Sequence, residues 1–126
     1  MANPNIVNVS SIYGKTDFRN GINDGNGSHT HSLVTNPSNS GKILKINSLI
    51  VCARADRQVF VALYSSGATA TLQAHICHGT FVANNTTFVL ISKSAMMYLP
   101  EDRSIKIGQT NGNGNLEFLC SYEEIS

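Results

Sequence analysis

The side chains best suited to chemistry in this 126-residue chain are four histidines and three cysteines. His29 and His31 are separated by one residue, so on a strand both project to one face, and a His-x-His pair can offer two imidazoles to a single metal ion. Their neighbours Ser28, Thr30 and Ser32 supply no third ligand, and the plainer reading of the pair is a solvated or interfacial strand face. Repeated around a threefold axis, the pair could still gather a metal at the centre of a trimer. A second group is His75-Ile76-Cys77-His78. Alternation places His75 and Cys77 on one face, at the end of a strand just before Gly79, where histidine is common without being a ligand. Cys77 as a nucleophile would need a base within hydrogen-bond reach, and same-strand neighbours rarely converge on a substrate. An enzyme would require a pocket that gathers His29, His31, His75 or His78 from separate strands.

The remaining candidates have plainer readings. Glu101-Asp102 and Glu123-Glu124 are adjacent pairs, whose members point to opposite faces of a strand rather than converging across a cleft. Pro100-Glu101-Asp102 reads as turn chemistry, and Glu123-Glu124 as solvated or paired with cations of another subunit. Gly25 to Gly27 and Gly112 to Gly114 lack the strand-to-helix setting of a phosphate loop, and Asn113-Gly114 reads as a hairpin turn into the last strand. Met96-Met97 beside Tyr98 reads as packing. The expectation is no catalytic residue, no cofactor and no enzyme.

The elements that hold these residues are strands. Ala70, Leu72, Ala74 and Ile76 alternate with Thr69, Thr71, Gln73 and His75, and Leu116, Phe118, Cys120 and Tyr122 alternate with Glu117, Leu119 and Ser121. Each pattern marks a strand with one face turned inward. Further strands are expected at Val7 to Tyr13, His29 to Thr35, Lys42 to Ala53, Gln58 to Ser65, Thr87 to Lys93 and Arg103 to Gln109. Residues 14 to 30 read as a long loop and a candidate contact surface, with a short strand conceivable at Phe18 to Ile22. Leu49-Ile50-Val51 and Thr87 to Ile91 are apolar on both sides and mark the most central strands. Turn residues separate the segments at Asn36 to Gly41, Ser65 to Gly67, Asn84-Asn85, Pro100 to Asp102 and Asn111 to Asn115. The fold class expected is all-β: an antiparallel, jelly-roll-like β-sandwich of about eight strands. It forms a single domain over residues 1–126, with an extended N-terminal arm at about 1–5 and a short exposed tail after Tyr122.

Composition narrows the class further. Charged residues make up 13% of the chain, about half the usual share, while Asn, Ser and Thr total 37, so surface polarity comes from neutral groups. The net charge is +1 and the basic residues form no stripe, which argues against direct nucleic-acid binding. The four tyrosines do not interleave with cations, so base stacking has no support either. The opening residues lack a secretory pattern and no apolar run reaches membrane-spanning length, so a soluble protein made in a cytoplasm is expected. Cys52 and Cys120 read as small buried hydrophobes, and an odd number without CxxC spacing disfavours disulfides.

Both ends carry a family likeness. Met1-Ala2-Asn3-Pro4-Asn5-Ile6-Val7-Asn8-Val9 with Ile12-Tyr13-Gly14-Lys15-Thr16, and Ser121-Tyr122-Glu123-Glu124-Ile125-Ser126, resemble the ends of a family of small virion structural proteins from tailed phages of marine bacteria and cyanobacteria. Lys42 to Val51, Leu90 to Lys93 and Tyr98 to Ile105 resemble it more loosely. What the resemblance implies is a virion component, foremost a head decoration or cement protein that binds the major capsid protein lattice and neighbouring copies of itself, with a homo-oligomer, conceivably a trimer, on the phage head surface. Asn3, Pro4, Asn5 and Ile6 are the partner-contact candidates. The alternative is a tail, collar or fibre component, including a carbohydrate-binding module, for which the absence of Trp is unfavourable. The histidines are outside the resemblance, so it carries no metal site.

Overall fold

A computed structural model describes residues 8–20, 29, 31–110 and 114–126. Nine strands are present among them: β1 (Ile12–Arg19), β2 (His31–Asn36), β3 (Ile43–Ala53), β4 (Arg57–Ser65), β5 (Leu72–Val82), β6 (Thr86–Ile91), β7 (Met97–Leu99), β8 (Arg103–Gln109) and β9 (Leu116–Ile125). One 3-10 turn, Lys93–Ala95, links β6 to β7.

Every strand pairs antiparallel, in two sheets ordered β1-β9-β3-β6, with β7 extending the β6 edge along β3, and β2-β8-β4-β5. That order is the jelly roll, in which most connections cross from one sheet to the other. Only β4 and β5 are both consecutive and paired. The Asn113-Gly114 signal therefore does not close a hairpin: β8 lies in one sheet and β9 in the other, and Gly114, at φ 68°, turns the chain across the sandwich.

The core is the set of inward positions of both sheets. Leu116, Phe118, Cys120 and Tyr122 of β9 meet Leu44, Ile46, Leu49 and Val51 of β3, opposite Val59 and Val61 of β4 and Ile105 and Ile107 of β8. The alternation read from β9 is thus its buried face. Burial pushes the Cys120 thiol up to about 12, with Asp17 adding to the shift, so this cysteine behaves as a small hydrophobe. Cys52 is only half-buried, on the outer side of β3, and all three cysteines are free.

Four expectations need correction. The first strand among the described residues is Ile12–Arg19: it shares only Ile12 and Tyr13 with the strand expected at Val7 to Tyr13 and otherwise runs through the stretch expected to be a loop. All eight of its residues are exposed, so it has no apolar face to betray it, and polar contacts hold it. The Tyr122 hydroxyl donates to Asp17 Oδ2 at 2.7 Å, and Lys15 Nζ lies 2.9 Å from Glu124 Oε1. Secondly, β6 is an edge strand and Val89 faces solvent, whereas β3 is interior. Thirdly, Leu72 and Ala74 are exposed, and the buried residues of β5 are Cys77 and Val82. Lastly, Glu123 to Ser126 is no tail. Ile125 is buried and pairs with both Ile12 and Ile43, and Ser126 exchanges backbone hydrogen bonds with Ser11. The arm at 1–5, with Asn3, Pro4, Asn5 and Ile6, lies outside the described residues.

The turns follow the sequence more closely. Asn39, Gly41, Gly67, Asn85 and Asp102 all take positive φ at the expected breakers. Asp102 Oδ1 accepts from Ser66 Oγ at 2.7 Å and Ser38 Oγ at 3.1 Å, joining three loops at one end of the sandwich. These two hydroxyls hold its carboxyl below the usual range. Beside it, the buried Asn36 amide donates to the carbonyls of Lys42 and Leu99 and accepts from Ser40 Oγ, so its polar atoms are satisfied.

Truncation after Tyr122 removes the buried Ile125, the acidic partners of Lys15 in β1 and Lys45 in β3, and the last rungs of two ladders. We expect a fall in Tm of about 10 °C or more, measured by circular dichroism; an unchanged Tm would restore the tail reading. The hydrogen bond from Lys15, then the charge of Lys42, hold the Glu124 carboxyl below its ordinary value against the opposing effect of burial. Its contribution is therefore present above about pH 4.3 and is lost as the pH falls through the depressed pKa. Glu124→Gln should be less stable than the parent at pH 7 by under about 1 kcal/mol, and urea titrations should show the gap closing on acidification and shrinking in high salt.

Candidate functional site

The β5 strand runs along the sheet edge, and its register against β4 slips three times. Val59 faces Thr80 but Phe60 faces His78, so Gly79 is an extra residue. Val61 faces Cys77 but Ala62 faces His75, so Ile76 is extra, and Gln73 is the third. Each extra residue breaks the two-residue repeat. In a regular strand positions 75 and 78 would fall on opposite faces; with the bulge at Ile76, His75 and His78 both lie on the outer face with Phe60 and Ala62. Cys77 is turned into the core, where its thiol contacts the Val59 carbonyl at 3.4 Å and Thr80 Oγ1 at 3.1 Å. His75 and Cys77 therefore do not share a face. Gly79 takes φ 74°, a conformation that suits glycine, and the direction a Cβ would take there points at the Phe60 ring.

His29, which precedes β2, completes the cluster from across the sheet. Its ring centroid is 5.3 Å from that of His75, and His75 is 4.5 Å from His78. Phe60 forms the floor, edge-to-face with His29 at 6.0 Å and with His78 at 5.2 Å. Phe60 and Ala62 are buried although they lie on the outer side of the sheet and outside the main core. Tyr64 closes one flank, its hydroxyl 3.4 Å from His29 Nδ1 and its ring under Lys106 Nζ at 5.1 Å. One potential ligand atom from each of His29, His75 and His78 lies within 4.8 Å of the other two. His31, the expected companion of His29, is absent from this group and instead holds the register position opposite Ile107 on β2. Chemically the cluster is a set of nitrogen donors, two exposed and one half-buried, on an apolar floor.

The other sheet presents a different outer surface. Phe18 of β1 pairs with Leu119 of β9, Leu119 with Ile50 of β3, and Ile50 with Val89 of β6. One apolar row thus crosses all four strands. Phe18 is 71% exposed, Val89 55% and Leu119 39%. The sequence signal was Leu119, the apolar residue on the otherwise polar side of β9, but its partners depend on register. Glu123 and Glu124 contact Lys45, Lys15 and Lys42 of the same chain.

Comparison of the chain with protein-family models, curated proteins and solved structures finds no match. Function is therefore read from these two surfaces.

The bulged conformation of β5 is open to test at Gly79. A Cβ there would meet Phe60 ring carbons at 3.5 and 3.6 Å, an ordinary contact, so the penalty of Gly79→Ala is the left-handed backbone, about 1–2 kcal/mol. Thermal unfolding should show a fall of about 5 °C, with Gly79→Asn nearer the parent because asparagine tolerates positive φ; an alanine variant of parental Tm would count against the bulge.

Proposed function

We propose that this chain is a structural protein of a tailed-phage particle, a head decoration protein that docks on the major capsid protein lattice. The observation that carries the reading is the exposed apolar row Phe18–Leu119–Ile50–Val89 on the β1-β9-β3-β6 sheet. An exposed apolar surface that runs unbroken across a sheet is the mark of an interaction site rather than of a free monomer. Its setting fits a protein partner. The row is flanked by the neutral hydroxyls of Thr16, Ser121 and Thr87 and by a single charged residue, Glu117, which pairs with Arg54 at 3.5 Å, so docking desolvates few charges. Contacts of this kind are weak singly and become strong when symmetry repeats them.

The family likeness of the two ends supports the same reading. Of the residues that carry it, Ile12 to Thr16 and Ser121 to Ile125 are paired rungs of β1 and β9, on the sheet that carries the row. A tail, collar or fibre component uses the same physics and differs in copy number.

Quantitative mass spectrometry of purified particles tests the role. Hundreds of copies per particle are expected for a head decoration protein; a dozen or fewer would make it a tail or collar part, and absence would end the proposal. In reconstitution on particles that lack the protein, Phe18→Ser with Leu119→Ser should reduce occupancy at least tenfold without altering the fold. The same change at Phe81, exposed on the opposite sheet, should leave it intact. Equal occupancy in both variants would remove the apolar row as the docking face.

A further inference from the structure

We infer that His29, His75 and His78 form a binding site for a zinc-like divalent transition metal within a single chain. The argument begins with the donor set. Three imidazoles and no carboxylate suit zinc, cobalt, nickel or copper and do not suit magnesium or calcium, which require oxygen ligands. Three histidines with a fourth position left to water or to a partner group are a recurrent zinc arrangement.

Geometry supports it. The ligand atoms already lie within 4.8 Å of one another, and tetrahedral coordination at about 2.0–2.1 Å from the metal sets nitrogen atoms about 3.3 Å apart. Contraction by about 1.5 Å is within reach of side-chain torsions, because His75 and His78 are exposed at a sheet edge. The backbone is arranged for the purpose: the extra residue Ile76 is what puts His75 and His78 on one face. Tyr64 supplies the outer support. When His29 donates its Nδ1–H to the Tyr64 hydroxyl oxygen, Nε2 carries the lone pair, and such a partner fixes both the tautomer and the ring orientation of a metal-bound histidine. The Phe60 floor excludes water from one side. A bound ion would tie the segment before β2 to the far edge of its own sheet and would stabilise the fold by mass action. The site is independent of the particle role: it lies on the other sheet from the apolar row.

The test uses the full chain stripped with chelator and titrated calorimetrically with Zn2+, and spectroscopically with Co2+. Expected are one equivalent per chain, a Kd in the micromolar range or below, visible Co2+ bands of four-coordinate intensity, and a Tm that rises with metal. His75→Ala and His78→Ala, both at exposed positions, should each weaken binding at least tenfold, Tyr64→Phe by about tenfold, and His31→Ala not at all. Absence of binding at 1 mM Zn2+ would overturn the proposal. So would parental affinity in His75→Ala and His78→Ala, or one metal per three chains lost in His31→Ala, which would instead assign the ion to a His29/His31 pair at a threefold axis.

Discussion

Two facing sheets impose one constraint on every strand between them: alternate residues must be apolar and turned inward, and a shift of one residue reverses all of them. The clearest run that obeys it is Leu116 to Tyr122 of β9, where Leu116, Phe118, Cys120 and Tyr122 all enter the core. Other strands reset it with an extra residue. Such residues occur at Leu33 in β2, Asn47 in β3, Leu90 in β6 and Gln73, Ile76 and Gly79 in β5. A bulge resets which face the following side chains use, so one strand can serve the core over part of its length and the surface elsewhere. In β5 this lets Cys77 and Val82 reach inward while His75 and His78 stay outside together. The bulged edge also presents a poor template for another strand, which protects this side from sheet extension.

The same constraint decides what could be read in the sequence. Where period-two alternation is unbroken and one side is apolar, as from Leu116 to Tyr122 in β9, the buried face is legible residue by residue. The all-β class and the turns at Asn39, Gly67, Asn85 and Asp102 follow from chemistry that acts within a few residues, and they too were legible. β1 was hidden because its strand character comes from pairing with β9 and from polar contacts at Lys15 and Asp17. β5 looked the clearest strand of all, yet its alternating Leu72 and Ala74 are exposed, since an edge strand with three extra residues need not keep its apolar side inward. Of the histidine cluster, all three residues were among the four candidates visible in the sequence, but their grouping was not. His75 and His78 are three apart, a spacing that an unbroken strand would separate, and only Gly79 hinted at the irregularity.

The chain is poor in charge, and the charges it has are used locally. Lys15 and Lys42 converge on Glu124, Lys45 reaches Glu123, and Asp102 is taken up by serines of two other loops. These contacts replace apolar burial where the sandwich runs out of core, at β1 and at the loop end near Asn36. The last residues of the sequence show the consequence: a segment with two adjacent glutamates looks like a solvated tail, but pairing with lysines of β1 and β3 makes it the end of a central strand. The Tyr122 hydroxyl is part of the same edge. Burial, reinforced by its hydrogen bond to Asp17, drives its pKa upward, so it stays a donor throughout the accessible pH range.

The two outer faces are chemically unlike, and that asymmetry bears on the proposed role. A docked decoration protein must hide one face and expose another. The apolar row on the β1-β9-β3-β6 sheet gains free energy by being covered, whereas on β2-β8-β4-β5 a cover would bury Phe81 and Leu72 only by also cutting the exposed imidazoles off from ions in solution. If the row is seated on a lattice, the histidines point away from it. Metal binding and docking then act on opposite sheets that share the core of Ile46, Leu49, Phe118, Val61 and Ile107, so an ion bound on one side stiffens the scaffold that presents the other without touching the contact itself.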